Sequence, residues 1–207
     1  MDAPTPRLSV EAEPFIPYVK EEDYPADLVP VLEPYNKRMG FIPNALKLYM
    51  HRPEIAGTLW KLNSNIMRDE SSTLDQNLKR RISAVASVIN GCTYCSSHCC
   101  SMLKGDVNAL SEGWGMAEED LQALVKGDLA PNDDMEAACF AYVEAASADP
   151  TSVPAEVLEE LNNHLTPPQI VELACVVGFW KMYNTIHDSL HIPLEEHLLE
   201  ASGYVDL

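Results

Sequence analysis

The ten residues GCTYCSSHCC, from Gly91 to Cys100, hold four of the six cysteines of the chain and one histidine. Cys92 and Cys95 form a C-x-x-C pair, the smallest local arrangement in which one thiol attacks an oxidant and the second resolves the product as a disulfide. The same side chains could supply part of a zinc site, because thiolate and imidazole are common zinc ligands. Two kinds of chemistry are therefore open: dithiol redox and metal binding.

A helix that begins at about Cys92 would bring three thiols, those of Cys92, Cys95 and Cys99, onto one face. Thiols in a first helical turn face free N–H groups and the positive end of the helix dipole, worth about 0.3–1 kcal/mol at an exposed site. Lowering the pKa of a thiol from about 8.5 to about 7 requires about 2 kcal/mol. A cation or base must therefore contribute the rest, and the local candidates are His98 and Arg80.

Asn90–Gly91 predicts a chain reversal between the helix that carries Arg80 and the helix that carries the cysteines. If the two helices run antiparallel, Arg80 lies about 16 Å from the turn and Cys99 about 13 Å, so they could face each other. With Cys95 nearer the turn, these positions form a line suited to a charge or proton relay. Arg80 cannot act as a base, but it could stabilise a thiolate. If Arg80 does not act on a thiolate, the basic run Lys79–Arg81 is typical of a solvated helix face.

Length and charge restrict the class of protein. At 207 residues we expect one domain or at most two small ones. Residues 106–207 hold 20 of the 32 acids, whereas residues 51–105 hold seven bases against four acids, which favours thiolate at the cysteines. The net charge of −18 argues against nucleic acid or anionic membranes as partners. No apolar run reaches about 18 residues and no signal peptide is recognised, so we expect a cytoplasmic location.

Helical periodicity dominates after a Pro-rich, extended arm at residues 1–22, and predicts a single all-α domain over 23–207. Capping-box patterns occur at Thr73–Gln76 and Thr166–Gln169, with a looser one at Asp133–Glu136. One predicted helix presents a buried stripe of Leu78, Ile82, Val85 and Ile89, with Arg80, Ser83 and Ser87 on a polar face. Helices are predicted at 26–38, 43–51, 53–68, 74–90, 93–111, 118–126, 133–147, 154–163, 167–190 and 193–201.

Three segments can be compared with known families: GFIPNALKLYMHRPE (Gly40–Glu54), the N-G-C-x-Y-C motif with histidine three residues on, and LTPPQIVELACVVGFWKMYN (Leu165–Asn184). Together they resemble the alkylhydroperoxidase D (AhpD)-like / carboxymuconolactone decarboxylase family, in its peroxidase-related branch. The similarity spans roughly residues 38–200. It implies an AhpD-like helical bundle with the C-x-x-C at the start of a central helix, commonly in a homo-oligomer.

The resemblance also implies roles for the cysteines. Cys95 is the residue that attacks the peroxide and Cys92 the residue that resolves it. At the two positions where the family has a proton-relay glutamate and histidine, this sequence has Arg80 and Cys99. His98 is the candidate substitute base, and Cys99 a candidate second resolving thiol.

Other candidates are predicted to be mainly structural. His187 follows the late helix, where it would balance the helix dipole; since that helix ends near the site in the family, an additional acid or base is the alternative. Cys139 and Cys175 lie in apolar runs and should be buried, inert thiols. Packing positions are predicted for Cys100, Trp60, Trp180 and Tyr183.

The resulting prediction is a cysteine-dependent, peroxidase-like oxidoreductase that reduces alkyl hydroperoxides through a dithiol/disulfide cycle. Its partners would be a small peroxide or organic substrate and a thiol reductant, either a protein or a small thiol, with no cofactor and no metal. One alternative is a carboxymuconolactone-decarboxylase-type acid/base enzyme. Another is a catalytically degenerate or metal-binding relative, with a zinc set of Cys92, Cys95, His98 and Cys99.

Overall fold

The computed structural model describes residues 14–104, 115–196 and 198. These residues form α-helices and contain no β-strand, so the predicted all-α class is confirmed. A short 3₁₀ turn at Glu21–Asp23 precedes the helices. The helices are α1 Val29–Met39, α2 Asn44–Tyr49, α3 Pro53–Arg68, α4 Gln76–Ile89, α5 Thr93–Lys104, α6 Glu118–Lys126, α7 Asp134–Ala148, α8 Ala155–His164 and α9 Pro167–Ser189.

The predicted helices agree with these bounds to within about three residues wherever the structure describes them. The helix predicted at 93–111 is seen as far as Lys104, and residues 105–114 lie outside the described part. Only residues 193–196 and 198 of the predicted helix 193–201 are described. Residues 1–13 of the predicted arm also lie outside, and the single domain over 23–207 remains a prediction.

Two of the three predicted helix starts are confirmed. Thr166 and Gln169 form the capping box that opens α9, and the Asp133 side chain accepts a hydrogen bond from Glu136 N at the start of α7. The capping box at Thr73–Gln76 is wrong. Asp75 caps α4 instead, because its carboxylate reaches the N–H groups of the first turn, while Thr73 bonds to a glutamate of α9.

Helix α4 lies at the centre and packs against α5, α7 and α9. It is buried on all sides from Leu78 to Ser87, so the polar face of Arg80, Ser83 and Ser87 packs inside the protein. The expected solvated face at Lys79–Arg81 is wrong. The core admits these charges because Lys79 and Arg81 have carboxylate partners on neighbouring helices. Of the predicted apolar stripe only Ile89 is exposed, at 38%.

The reversal at Asn90–Gly91 is a Schellman motif. Gly91 has φ 73°, a left-handed conformation that only glycine adopts easily. Cys92 N donates to Ser87 O at 3.0 Å and Gly91 N to Val88 O at 2.9 Å, which is the paired bonding of that motif. This turn brings the C-x-x-C to the start of α5, directly beside the end of α4.

Helix α9 packs its inner face against α3, α4, α5 and α7 and leaves an outer face exposed. Val171 is 63% exposed and Cys175, one turn on, is exposed as well. The prediction that Cys175 is buried is therefore wrong, because the apolar run of α9 continues around its outer face. Among the described residues no helix has the length and apolarity needed to cross a bilayer.

Candidate active site

The two cysteines of the C-x-x-C lie together at the first turn of α5. Cys92 is 0% exposed and Cys95 1% exposed. Cys95 N donates to Cys92 Sγ at 3.3 Å, as expected where a side chain immediately before a helix meets the free N–H groups of the first turn. The two sulfur atoms lie within 4.8 Å of each other, close enough to form a disulfide after a small rearrangement. Cys95 lines a cavity and Cys92 lies behind it.

The base at Cys95 comes from the far end of the chain. His187, in the last turn of α9, places Nδ1 3.0 Å from Cys95 Sγ. Its other ring nitrogen, Nε2, lies 2.6 Å from the Tyr49 hydroxyl of α2. The imidazole therefore joins the thiol to a phenol, and both Tyr49 and His187 line the same cavity. Proton transfer between thiol and hydroxyl can pass through this ring.

His98, the predicted substitute base, is held elsewhere. Its Nε2 lies 2.9 Å from Glu195 Oε2. The other oxygen of Glu195 accepts hydrogen bonds from Asn44 N at 2.6 Å and from the Tyr94 hydroxyl at 3.2 Å. Burial would raise the pKa of Glu195, but the charge and hydrogen bond of His98 together with backbone hydrogen bonds, including that from Asn44 N, lower the pKa to about 2. His98 lines the cavity as one half of a buried pair rather than as the partner of Cys95.

The expectation that basic surroundings favour thiolate at Cys95 is wrong in this structure. Burial raises the pKa of Cys95 well above its usual value, and the adjacent Cys92 thiol adds to the rise. A hydrogen bond from Asn184 acts in the opposite direction. Burial also lowers the pKa of His187 to about 3, assisted by the charge of His98. Both shifts favour a neutral thiol beside a neutral imidazole near pH 7.

Cys92 has its own acid/base partner on α9. Cys92 hydrogen-bonds to Asp188, which opposes the effect of burial on this carboxyl; burial is the larger and raises the Asp188 pKa. Asn184, His187 and Asp188 thus face the C-x-x-C from about one turn of α9. Although its carboxyl is partly buried, Asp188 as a residue is exposed and can exchange its proton with water, whereas Cys92 is fully buried.

Arg80 and Cys99 lie near each other across the α4–α5 pair, as the turn predicts. Burial raises the pKa of Cys99, and Arg80 partly offsets that rise. Arg80 is 6% exposed, lines the cavity and places Nη1 3.8 Å from Met102 Sδ. Cys99 is 2% exposed and is not part of the cavity wall. The proposed roles of both residues at the reacting sulfur stay predictions.

The remaining cysteines are separate from this site. Cys100 is 0% exposed and packs in the core, as predicted, and burial raises its pKa to about 12. Cys139 is also fully buried, and burial raises its pKa to about 11. Both are structural thiols, so the candidate reactive positions are the C-x-x-C, the predicted second resolving thiol Cys99 and the exposed Cys175.

A metal ion would find three ligands here. Cys92, Cys95 and His187 place their ligand atoms within 4.8 Å of one another, the single such group among the described residues. The predicted zinc set differs, because His98 and Cys99 are not part of this group. Thiolate and imidazole donors suit a thiophilic ion such as Zn²⁺, and three protein ligands with one open position are typical of catalytic rather than structural zinc sites. Tyr49 would then orient the ligating ring.

The cavity beside Cys95 has a volume of about 100 Å³ and a mostly apolar wall. Trp180 and Tyr183 of α9 form part of the wall, so these two predicted packing residues also face the space next to the sulfur. The wall also includes Tyr94, Tyr49 and two arginines, Arg68 and Arg80. A small organic molecule can thus reach Cys95 against aromatic rings.

Sequence reasoning did not find Tyr49, Glu195 or Asp188. A signal existed on α9, where Asn184, His187 and Asp188 recur at the spacing of one helical turn after an aromatic run. The same pattern fits a plain helix end, which is the simpler interpretation. No local pattern marks Tyr49 or Glu195, since both reach the site from elements distant in sequence.

Known structures share this fold over most of the chain, whereas no protein-family model and no curated protein matches the sequence. The debrominase Bmp8, as a cysteine-to-alanine variant in complex with 2,3,4-tribromopyrrole, is 19% identical with a TM-score of 0.74, covering 91% of this chain and 96% of Bmp8. A peroxidase-related protein from Silicibacter sp. TM1040 is 21% identical, with a TM-score of 0.70 and coverages of 91% and 97%.

An alkylhydroperoxidase AhpD core, a peroxidase-related protein from Ralstonia eutropha JMP134, is 17% identical with a TM-score of 0.75. The alignment covers 90% of this chain and 96% of that one. Identities this low establish the fold and not the reaction. The predicted architecture is therefore confirmed: this chain has the AhpD-like helical fold, with its C-x-x-C at the start of a central helix.

Proposed function

We propose that the protein reduces small hydroperoxides through a Cys92/Cys95 dithiol cycle. The observation that carries the proposal is the position of Cys95 Sγ, which lines a cavity with His187 Nδ1 at 3.0 Å and a second thiol behind it. Nucleophile, proton acceptor and resolving thiol are thus adjacent, which is the arrangement that thiol peroxide chemistry requires.

In the first step Cys95 attacks the terminal peroxide oxygen. The S–O bond forms, the O–O bond breaks, and the products are a sulfenic acid and an alcohol. The thiol proton passes to His187 Nδ1, the Nε2 proton passes to Tyr49, and the Tyr49 hydroxyl proton passes to the leaving alkoxide. The imidazole is neutral before and after, which suits a ring whose pKa burial lowers to about 3.

In the second step Cys92 attacks the Cys95 sulfur. The S–S bond forms and the S–O bond breaks, and the leaving hydroxide takes the proton from His187 Nδ1 and departs as water. His187 regains its Nε2 proton from Tyr49, which takes one from solvent. Asp188 takes the Cys92 proton, because its carboxyl hydrogen-bonds to that thiol and burial raises its pKa. A thiol reductant, either a small thiol or a reductase protein, then restores the dithiol. A small thiol fits the cavity route to Cys95 better than a protein surface does, since neither sulfur is exposed.

A thiol count tests this cycle. We expect reduced protein treated with one equivalent of tert-butyl hydroperoxide to lose two thiols and to yield one alcohol per chain. Cys95→Ser should lose neither, whereas Cys92→Ser should stop at a Cys95 sulfenic acid that a dimedone-type reagent traps. Cys139→Ser is the matched control, since it removes a buried thiol outside the site. Unchanged peroxide consumption by Cys95→Ser would remove the mechanism.

Reductive dehalogenation of a small aromatic halide is the second candidate. Four aromatic side chains, those of Tyr49, Tyr94, Trp180 and Tyr183, line the cavity beside Cys95, and a debrominase shares the fold. Cys95 would take the halogen, the carbon would take a proton, and Cys92 would displace halide to give the same disulfide. The two candidate substrates, a hydroperoxide and an aromatic halide, can be distinguished by their products. Halide release from tribromopyrrole, with no alcohol formed from hydroperoxide, would favour this candidate over the first.

A further inference from the structure

The cavity at Cys95 concentrates positive charge in a protein that is otherwise strongly acidic. The chain has a net charge of −18, yet no aspartate or glutamate of the described part of the chain lines this cavity. Two arginines do, Arg68 from the end of α3 and Arg80 from α4. Guanidinium remains charged at any physiological pH, so both bring a full positive charge to the wall.

The contacts that Arg68 makes with the described residues Asn63 and Trp60 are with neutral groups. Its Nη1 donates to Asn63 Oδ1 at 2.6 Å, and its guanidinium lies 5.5 Å from the ring centroid of Trp60. These contacts hold the side chain in place without neutralising it. Arg80 is buried at the same wall, and one of its contacts is an N–H directed at Met102 Sδ at 3.8 Å. Glu195, which lies behind His98 and Tyr94, accepts hydrogen bonds from both and is not part of the wall.

We propose that the substrate of the Cys95 site is a small organic anion, a carboxylate in the first instance, whose charged group is held by Arg68 and Arg80 while its reactive end meets the sulfur. Two planar guanidinium groups match the two oxygens of a carboxylate, and the apolar wall makes each such contact stronger than it would be in water. A volume of about 100 Å³ limits the occupant to a few non-hydrogen atoms at that depth. This inference deepens the proposed function and rests on Cys95 being its reactive atom.

Two alkylating reagents of nearly equal size test the inference without any peroxide. Iodoacetate is an anion and iodoacetamide is neutral. Both transfer a two-carbon group to sulfur: the S–C bond forms, the C–I bond breaks, iodide leaves and the thiol proton is released. Peptide mass spectrometry gives the rate at Cys95, and the exposed Cys175 supplies an internal reference in the same molecule.

We expect the iodoacetate-to-iodoacetamide rate ratio to be at least tenfold higher at Cys95 than at Cys175. Arg68→Gln or Arg80→Gln should lower the Cys95 ratio about tenfold, the effect of one hydrogen bond to a charged group. Arg80→Lys should retain part of it. Arg52→Gln, an exposed arginine at the other end of α3, should leave it unchanged.

Equal ratios at Cys95 and Cys175 would overturn the inference, and so would a Cys95 that neither reagent modifies, because a cavity that admits anionic substrates must admit iodoacetate. If Arg80→Gln does not fold, Arg68→Gln gives the same test. Failure of the proposed peroxide reduction can be distinguished from failure of this inference. An arginine-dependent preference for iodoacetate in a protein that consumes no hydroperoxide would retain the anion site and remove the peroxide reaction.

Discussion

His187→Asn should lower the rate of peroxide-driven thiol loss about 10²- to 10⁴-fold, the usual contribution of a positioned acid/base. The substitution removes the ring that joins Cys95 to Tyr49, while asparagine can still donate one hydrogen bond. The measurement is stopped-flow oxidation of reduced protein by excess tert-butyl hydroperoxide. Tyr49→Phe, which deletes only the last hydroxyl of the relay, should give a smaller loss in the same direction.

Two other histidines make this result decisive. His164→Asn is the matched control, since His164 pairs with Glu160 at the surface of α8 and should leave the rate unchanged. His98→Asn tests the base that the sequence predicts. Its loss should be smaller than that of His187→Asn, because His98 bonds to Glu195. The reverse order would mean that His98, and not His187, serves Cys95.

The pH dependence of the same rate separates this relay from an ordinary thiolate–imidazolium pair. Burial lowers the pKa of His187 to about 3, so the ring stays neutral from about pH 4 upward. Burial also raises the pKa of Cys95, so free thiolate accumulates only in alkaline solution. We therefore expect a flat rate between about pH 5 and 8 and a rise above that range. An inflection near 6.5, the usual histidine value, would contradict the neutral relay.

The fold was largely predictable because its signals are local. Helical periodicity, the Asn90–Gly91 turn and the capping box at Thr166–Gln169 act within a few residues, and the structure confirms each of them. The adjacent thiols Cys92 and Cys95 could be named for the same reason, since their spacing is itself the signal.

The rest of the site could not be predicted, because it depends on tertiary contacts. The sequence predicts His187 mainly as a structural residue, with an acid or base role only as the alternative that the resemblance offers. Its position beside Cys95 depends on how the end of α9 packs against α5, and no spacing in the sequence encodes that contact. Whether a given side chain is buried also depends on tertiary contacts. From the sequence alone the basic run at Lys79–Arg81 is predicted to be solvated, because its carboxylate partners lie on other helices. Cys175 is predicted to be buried, because the sequence does not show which face of α9 is exposed.

Glu172→Gln should lower the free energy of unfolding by about 3–5 kcal/mol, the usual cost of leaving a buried charge without its partner. Lys79 is 0% exposed, and its Nζ lies 2.9 Å from Glu172 Oε1. The same ammonium also donates to Ile66 O at 2.9 Å and Ser72 Oγ at 2.6 Å, neither of which carries charge. Urea denaturation with a constant m-value measures the loss.

Acid should weaken the same contact. Burial alone would raise the pKa of Glu172, but hydrogen bonds from Ser72, Thr73 and Lys79 lower it to about 2. A carboxyl whose folded pKa is depressed contributes stability that is present above its unfolded pKa, about 4.5, and is lost as the pH falls toward 2. The wild-type protein should therefore lose stability between about pH 5 and 2, and Glu172→Gln should lose less over that range.

Two further variants test whether the unpaired charge of Lys79 causes the loss of stability in Glu172→Gln. Glu160→Gln removes an exposed carboxylate of α8 and should change stability by no more than about 0.5 kcal/mol. The double variant Lys79→Met with Glu172→Gln should recover most of the loss, because an apolar side chain of similar length needs no partner in the core. If the double variant is no more stable than Glu172→Gln alone, the cost arises from the hydrogen bonds that Glu172 accepts from Thr73 and Leu74 N, and not from an unpaired ammonium.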